Sequence, residues 1–372
     1  MEALVRPTGP SPGVKNQISP TGFEEIRLCF LRFAFRQDHN FTKHVIPNPA
    51  SVLGIASHKL YQELWSGSLL GIDNPRARLE SMWEEEVSTG FAKMKEAAFG
   101  AVPEPKTWPF YQMKRISTIL DIVSIASGHK QSRGTTSAST KAEVWLKGHG
   151  GLMVGQADVI HTTDAGTEIV DYKTGRIFES EESSNGGSTL KPAYERQLLI
   201  YSDLYHEMNG EWPILATVSS LNDGSYSIVP DPVEAGRISS EAMDFLERFN
   251  EQAATAAFDA SPSEEACLYC QFKAVCTAYL DRSEIGWEST GTTIRGTVIG
   301  IDTDGRWIRL TNISGNTNRT EVIVIQVPSV LIGSAVVGEI LSFSSLTGRE
   351  EKETLDFRWW SQMWKWTGHE SC

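Results

Sequence analysis

Phe23, Ile26, Phe30 and Phe33 recur at three- and four-residue intervals, so on a helix they form one apolar face, and Ser19-Pro20 just ahead supplies a start signal. The same period predicts a second helix from Val52 through LGIASHKLYQELW and a third from Ala77 to Ala98, rich in Glu, Met and Ala. From Ala142 to Lys173 the period drops to two. AEVWLKG, LMVGQADVI and TEIVDYKT read as strands, and TTDAGT makes a tight turn between the second and third. A polar loop, FESEESSNGGS, leads into a helix over KPAYERQLLIYSDLYHEM, then a strand pair in ILATVSSL and YSIVP and a helix from Ile238 to Ala257. Beyond DRSEIGWESTG the chain alternates almost throughout, in TTIRGTVIGID, RWIRLTNI, TEVIVIQV, GEILSFSSL and LDFRWW. Five short strands in about eighty residues predict a small closed β-barrel of the OB type.

This order of elements is an α/β chain with an all-β C-terminal part. Residues 1–18, rich in Pro and without a hydrophobic period, read as a flexible arm. Over 372 residues, a hydrophobic content of 40% is ample for packed cores. No apolar run approaches the ~20 residues of a membrane crossing, and no secretory leader opens the chain. The expectation is a cytoplasmic protein. Its 47 acidic residues against 34 Lys and Arg, a net charge of −13, argue against a non-specific coater of DNA, which needs a broad positive face. A local basic groove is compatible with that total. Between Lys106 and Gly150, Lys106, Lys114, Arg115, Lys130, Arg133, Lys141 and Lys147 face only Asp121 and Glu143. That segment is either a phosphate-facing surface or a solvated helix face and loop.

On TEIVDYKT, side chains alternate, so Ile169, Asp171 and Lys173 share a face, and on the preceding strand Gln156, Asp158 and Ile160 do so. The TTDAGT turn brings Asp158 close to Asp171. Two neighbouring carboxylates repel unless a cation lies between them, and hard oxygen ligands suit Mg2+ or Mn2+. Lys173 beside them would orient a water or offset charge developing on a phosphodiester. The competing reading makes Asp158 and Asp171 exposed acids near a turn and Lys173 their surface ion-pair partner. Gln197 and Tyr201, at i and i+4, fall on one face of the next helix.

G-Q-A-D, then I-V-D-Y-K-T-G, then Q-L-L-I-Y resembles the nuclease domain of the RecB/AddB-type branch of the PD-(D/E)XK superfamily, which includes CRISPR-associated nucleases with an iron–sulfur cluster. Gly54-Ile55-Ala56-Ser57-His58 matches the histidine that such domains carry on an early helix, although a lone helical histidine is more often structural. The proline of the superfamily's name is replaced by Gln156-Ala157 ahead of Asp158, as is common in this branch. The resemblance implies a restriction-endonuclease-like mixed sheet flanked by helices, over residues 19–283; it does not extend to the barrel, over 290–372, which rests on strand pattern alone. It implies that His58, Asp158, Asp171 and the backbone carbonyl of Tyr172 bind Mg2+ or Mn2+, that Lys173 is the catalytic lysine, and that Gln197 and Tyr201 support the active site. Glu143 would correspond to an acid sometimes found before the first core strand.

Cys267-x2-Cys270-x5-Cys276 gathers three thiols in ten residues, a spacing suited to one metal centre. Cys29 lies far upstream, and in the resembling nucleases one early and three late cysteines clasp the domain around a 4Fe-4S cluster. A structural zinc site is the alternative. Cys372 has no partner in this scheme. Trp359, Trp360, Trp364 and Trp366 close the sequence, either as stacking faces for single-stranded bases or as a seal on the barrel's open end or its contact with the nuclease part.

The resemblance implies a metal-dependent deoxyribonuclease, an exonuclease on single strands or DNA ends, in repair, recombination or antiviral CRISPR-type defence. The alternative is a non-catalytic DNA-binding scaffold of a helicase–nuclease or integration complex. No G-x-x-x-x-G-K-[ST] loop occurs, so a helicase motor or an integrase would be a separate partner.

Overall fold

The computed structural model describes residues 4–69, 72–131, 139–179, 189–220, 223–287, 291–348 and 354–367. A two-residue strand, β1 (Leu4–Val5), precedes six helices: α1 (Pro20–Leu28), α2 (Phe30–Gln37), α3 (His39–Thr42), α4 (Pro49–Trp65), α5 (Pro75–Ala97) and α6 (Tyr111–Gln131). The apolar period at Phe23 to Phe33 predicts one helix, but the chain turns a corner at Cys29. This residue is extended (φ −171°, ψ 121°), and its Sγ caps α2 by accepting from the amide of Arg32 at 3.4 Å. The sequence period did not announce α6. Its apolar residues lie on two faces, with Ile119 and Ile122 buried and Met113, Ile116 and Leu120 exposed, which blurs the signal.

β2 (Ser139–Gly148), β3 (Met153–Thr163), β4 (Gly166–Lys173), β5 (Leu215–Ser220) and β6 (Gly224–Ile228) form a mixed five-stranded sheet in that order. All neighbours are antiparallel except β4 and β5. The parallel step is made by α7 (Pro192–Asn209), which crosses between them. The β3–β4 hairpin turns through Asp164 and Ala165, and Gly166 takes φ +130°, a conformation that a β-carbon would strain. Phe23, Ile26, Phe30, Leu199, Leu204, Ile238 and Phe249 from α1, α2, α7 and α8 (Pro232–Thr255) bury one face of this sheet. α4, α5 and α6 form a separate helical layer around Leu60, Trp83 and Tyr111.

Two short helices, α9 (Glu264–Leu268) and α10 (Thr277–Arg282), lead to the second sheet. It is built from β7 (Thr292–Asp302), β8 (Trp307–Gly315), β9 (Glu321–Ile325), β10 (Ile340–Leu346), β11 (Thr354–Asp356) and β12 (Gln362–Trp366), with α11 (Ser329–Ile332) between β9 and β10. The order is β1-β12-β10-β7-β8-β9-β11. Five of these strands follow the OB arrangement, including the parallel β9–β11 pair. Among the described residues a single bridge, Thr347 to Asp356, joins β11 to the end of β10, so the closed barrel expected from the strand pattern is only partly closed.

β12 is a strand that the alternation test misses. Met363, Trp364 and Trp366 are all buried because the strand is covered on both faces. Trp364 sits with Phe35, Phe41, Phe272 and Val275 in a cluster shared with the helices near the cysteines. Ser342 Oγ donates to the carbonyl of Ala274 at 2.6 Å, and Gln362 donates to the carbonyl of His44. Trp359 packs against the α4–α6 layer, while Trp360 is 40% exposed. Three of the four C-terminal tryptophans therefore bury against protein. Residues 4–18 lie along the same surfaces: Leu4–Val5 pairs with Trp364–Lys365, Lys15 exchanges hydrogen bonds with Asn250, and Ile18 bridges Met153. Among the described residues no helix is long and apolar enough to cross a membrane.

Candidate active site

Val159 pairs with Val170 in the β3–β4 ladder, so the next step places Asp158 opposite Asp171. His58 arrives from α4, which approaches closely because position 54 is glycine. A β-carbon there would meet Thr174 Oγ1 at 2.9 Å. His58 Nε2 lies 2.9 Å from Asp158 Oδ1, and Asp158 Oδ2 accepts from the amide of Tyr172 at 2.7 Å. The hydrogen bond with Asp158 holds the His58 imidazole above its ordinary proton affinity, against the opposing pull of burial.

Asp171 is 3% exposed. Its Oδ2 lies 2.7 Å from Lys173 Nζ without a well-aligned hydrogen bond. Its Oδ1 accepts from Gln197 Nε2 at 3.0 Å. Burial pushes the Asp171 carboxyl up, and the Lys173 ammonium opposes that push. Burial also works against charge on Lys173, but the neighbouring Asp171 outweighs it and leaves the ammonium more firmly protonated than usual. Gln197 further donates to the Tyr201 hydroxyl at 3.2 Å, which donates in turn to the carbonyl of Gln156 at 3.0 Å. A glycine at 155 makes room for that ring: a β-carbon would stand 2.7 Å from Tyr201 Cε1. α4, β3, β4 and α7 thus bring together two neighbouring sets, His58–Asp158–Tyr172 and Lys173–Asp171–Gln197–Tyr201.

The donors available are an imidazole, two carboxylates and the Tyr172 carbonyl, a set suited to a hard divalent cation. Buried Asp171 Oδ2 has no well-formed hydrogen bond, which suits an oxygen that takes a cation as partner. Among the described residues, however, no three His, Cys, Asp or Glu side chains are gathered tightly enough to hold a metal ion as they stand. Glu143 lies across from Asp158 in the β2–β3 register with φ +50°. Its backbone carbonyl accepts from Gln156 Nε2 at 3.4 Å.

Sequence reasoning missed Tyr194, whose ring centre lies 5.4 Å from Lys173 Nζ. It precedes Gln197 by three residues on α7, so the spacing that flagged Gln197 and Tyr201 could have found it. A solvent-open cleft of about 840 Å3 runs past His58 and Lys173 and along Tyr61, Trp65, Tyr172 and Asp121.

The basic segment divides. Lys114 donates to the carbonyl of Thr174 at the rim of this cleft, whereas Arg115 lies 3.7 Å from both Glu80 and Glu84. Arg133 and Cys372 lie outside the described residues.

Cys29, Cys267, Cys270 and Cys276 line one cavity beside Arg32 and Lys273. Cys29 Sγ accepts from the amides of Arg32 and Ser261, and Cys276 Sγ from that of Tyr279 at 3.4 Å. Burial pushes the Cys267 thiol up to about 11 and Cys276 up to about 12. The four sulfurs share the cavity without forming a ready single-ion site.

No curated protein matches the chain. Among solved structures, a chain described as the crystal structure of SSO0001 is similar at 17% identity and a TM-score of 0.26, over 59% of this chain and 95% of its own. The family description PD-(D/E)XK nuclease superfamily matches residues 17–277, well over half of the chain. The match spans β2 to β6, with the acids, the lysine and their partners, and ends before β7. The chain belongs to the PD-(D/E)XK nuclease superfamily, whose members are typically metal-dependent nucleases.

Proposed function

We propose that this chain is a deoxyribonuclease dependent on Mg2+ or Mn2+, acting as an exonuclease on single strands or DNA ends, with residues 19–283 as the nuclease unit and 290–372 as an appended OB-like barrel. The observation that carries this reading is the pair of neighbouring sets His58–Asp158–Tyr172 and Lys173–Asp171–Gln197–Tyr201 at one end of the five-stranded sheet. His58, Asp158, Asp171 and the Tyr172 carbonyl would hold the cation. A bound divalent ion supplies Lewis-acid polarisation of the phosphate and a more acidic water. Lys173, held by Asp171, offers positive charge against the phosphate as negative charge builds on it. Gln197 fixes Asp171 by donating to its Oδ1, and the Tyr201 hydroxyl, accepting from the same nitrogen, braces Gln197.

In the same reading Cys29, Cys267, Cys270 and Cys276 hold a 4Fe-4S cluster. The shared cavity and the amide donors to Cys29 and Cys276 support this, since such hydrogen bonds suit cluster sulfurs. The cluster would join segments about 240 residues apart in the sequence, a closure whose entropic cost needs a bound group to offset it.

The test is Mn2+-dependent degradation of labelled single-stranded DNA blocked at the 5′ or the 3′ end, with Asp171→Ala and Lys173→Ala alongside. The expected result is cleavage by the parent protein and retained binding with lost cleavage in both variants. A parent that binds DNA and never cuts would make the chain a scaffold.

A further inference from the structure

The cleft beside His58 and Lys173 continues into an aromatic wall that the cleavage chemistry leaves unused. Tyr61 and Trp65, one turn apart on α4, both lay their rings against Tyr172, at 5.3 Å and 6° and at 5.9 Å and 21°. Tyr61 is fixed in turn by its hydroxyl, which donates to Asp121 Oδ2 at 2.6 Å. Aromatic residues at helical spacing are usually core, and Tyr61 is buried. Trp65 and Tyr172 are only half-buried, and both line the cleft. The cleft is lined by charges of both signs, the Lys173 ammonium and the Asp121 carboxylate. A phosphate is attracted to the first and repelled by the second. A nucleobase is uncharged, presents a π-face to aromatic rings and carries amino groups that a carboxylate accepts.

We propose that Trp65 and Tyr172 form a base-stacking subsite that holds one unpaired nucleobase next to the phosphate positioned at Lys173. A base inside a duplex has both faces covered by its neighbours, so the subsite admits a strand only where stacking has been given up. The wall thereby selects single-stranded or frayed ends. This inference rests on the nuclease reading of the same cleft.

The experiment uses the full-length protein and oligonucleotides carrying one abasic residue at successive positions. Binding is read by fluorescence anisotropy in Ca2+, and cleavage separately in Mn2+. One abasic position is expected to weaken binding about ten-fold, the others little. Trp65→Ala should weaken the intact oligonucleotide by a similar factor and become indifferent to the abasic position, whereas Trp65→Phe should keep most of the discrimination. Uniform binding of the abasic series by the parent protein would overturn the subsite without any variant being needed. So would an alanine variant that still discriminates. A parent that shows the single sensitive position but never cleaves keeps the subsite and removes the nuclease reading. A parent that cleaves with no sensitive position does the reverse.

Discussion

Gln197 donates through Nε2 to Asp171 Oδ1 at 3.0 Å, joining a helix to the acid of the neighbouring strand. The same nitrogen serves Tyr201, so one side chain satisfies two buried oxygens. Gln197→Ala leaves both without this donor and is expected to cost about 1–3 kcal/mol in urea unfolding. Gln197→Glu sets a second acid against Asp171 and is expected to push that carboxyl up further, impairing cleavage even where the fold survives. Unchanged unfolding midpoints in both variants would refute the role given to this contact.

Lys173 and Asp171 form a buried ion pair at 2.7 Å. Lys173→Met alone strands a buried carboxylate, a loss of about 3–5 kcal/mol for pairs of this kind. The double variant Asp171→Asn with Lys173→Met removes both charges and is expected to recover much of that stability while remaining inactive. Chemical denaturation of the two variants, run in parallel, checks the difference. Equal stabilities would show that the pair is not energetically coupled.

His44 meets the Trp364 ring edge-on at 5.3 Å, where the second sheet touches the helices. Burial lowers its proton affinity below the ordinary value of 6.5, so the unfolded chain takes up the proton more readily than the folded one. Stability contributed here is complete above that ordinary value and is lost as pH falls from it through the lower value of the folded state. His44→Phe keeps a ring against Trp364 and removes the titration. Its melting temperature is expected to fall less than the parent's between about pH 7.5 and 5.5. Parallel melting curves over that range would exclude His44 as a contributor.

The four cysteines give a spectroscopic prediction. Protein purified without oxygen is expected to be brown with broad absorption near ~400 nm, and Cys270→Ala to lose both colour and solubility. A colourless, folded, zinc-loaded preparation would replace the cluster with a zinc ion.

Much of the site was readable because it lies on regular elements. Two-residue alternation put Asp171 and Lys173 on one face, the short hairpin set Asp158 opposite, and four-residue spacing aligned Gln197 with Tyr201. The corner at Cys29 was not readable, because its cause is a sulfur cap rather than a break in the apolar period. Nor was β12, whose double-sided burial erases alternation. Nothing in the sequence set the Trp65 ring apart, and Tyr172 was singled out only for its backbone carbonyl; the cleft they share with Lys173 is what distinguishes the two side chains. The pairing of β1 with β12 depends on segments some 360 residues apart, a relation that no local pattern encodes.

The apolar cluster of Phe35, Phe41, Phe272, Val275 and Trp364 has a consequence for any attempt to dissect the protein. The alternating pattern places a seam near residue 285, yet cutting there would strip Trp364 from four partners and leave a greasy scar on the excised fragment. The two parts visible in the sequence should therefore melt in one transition, and the cysteine cavity, which Phe35 lines, should lose its shape along with the distant strand that roofs the cluster.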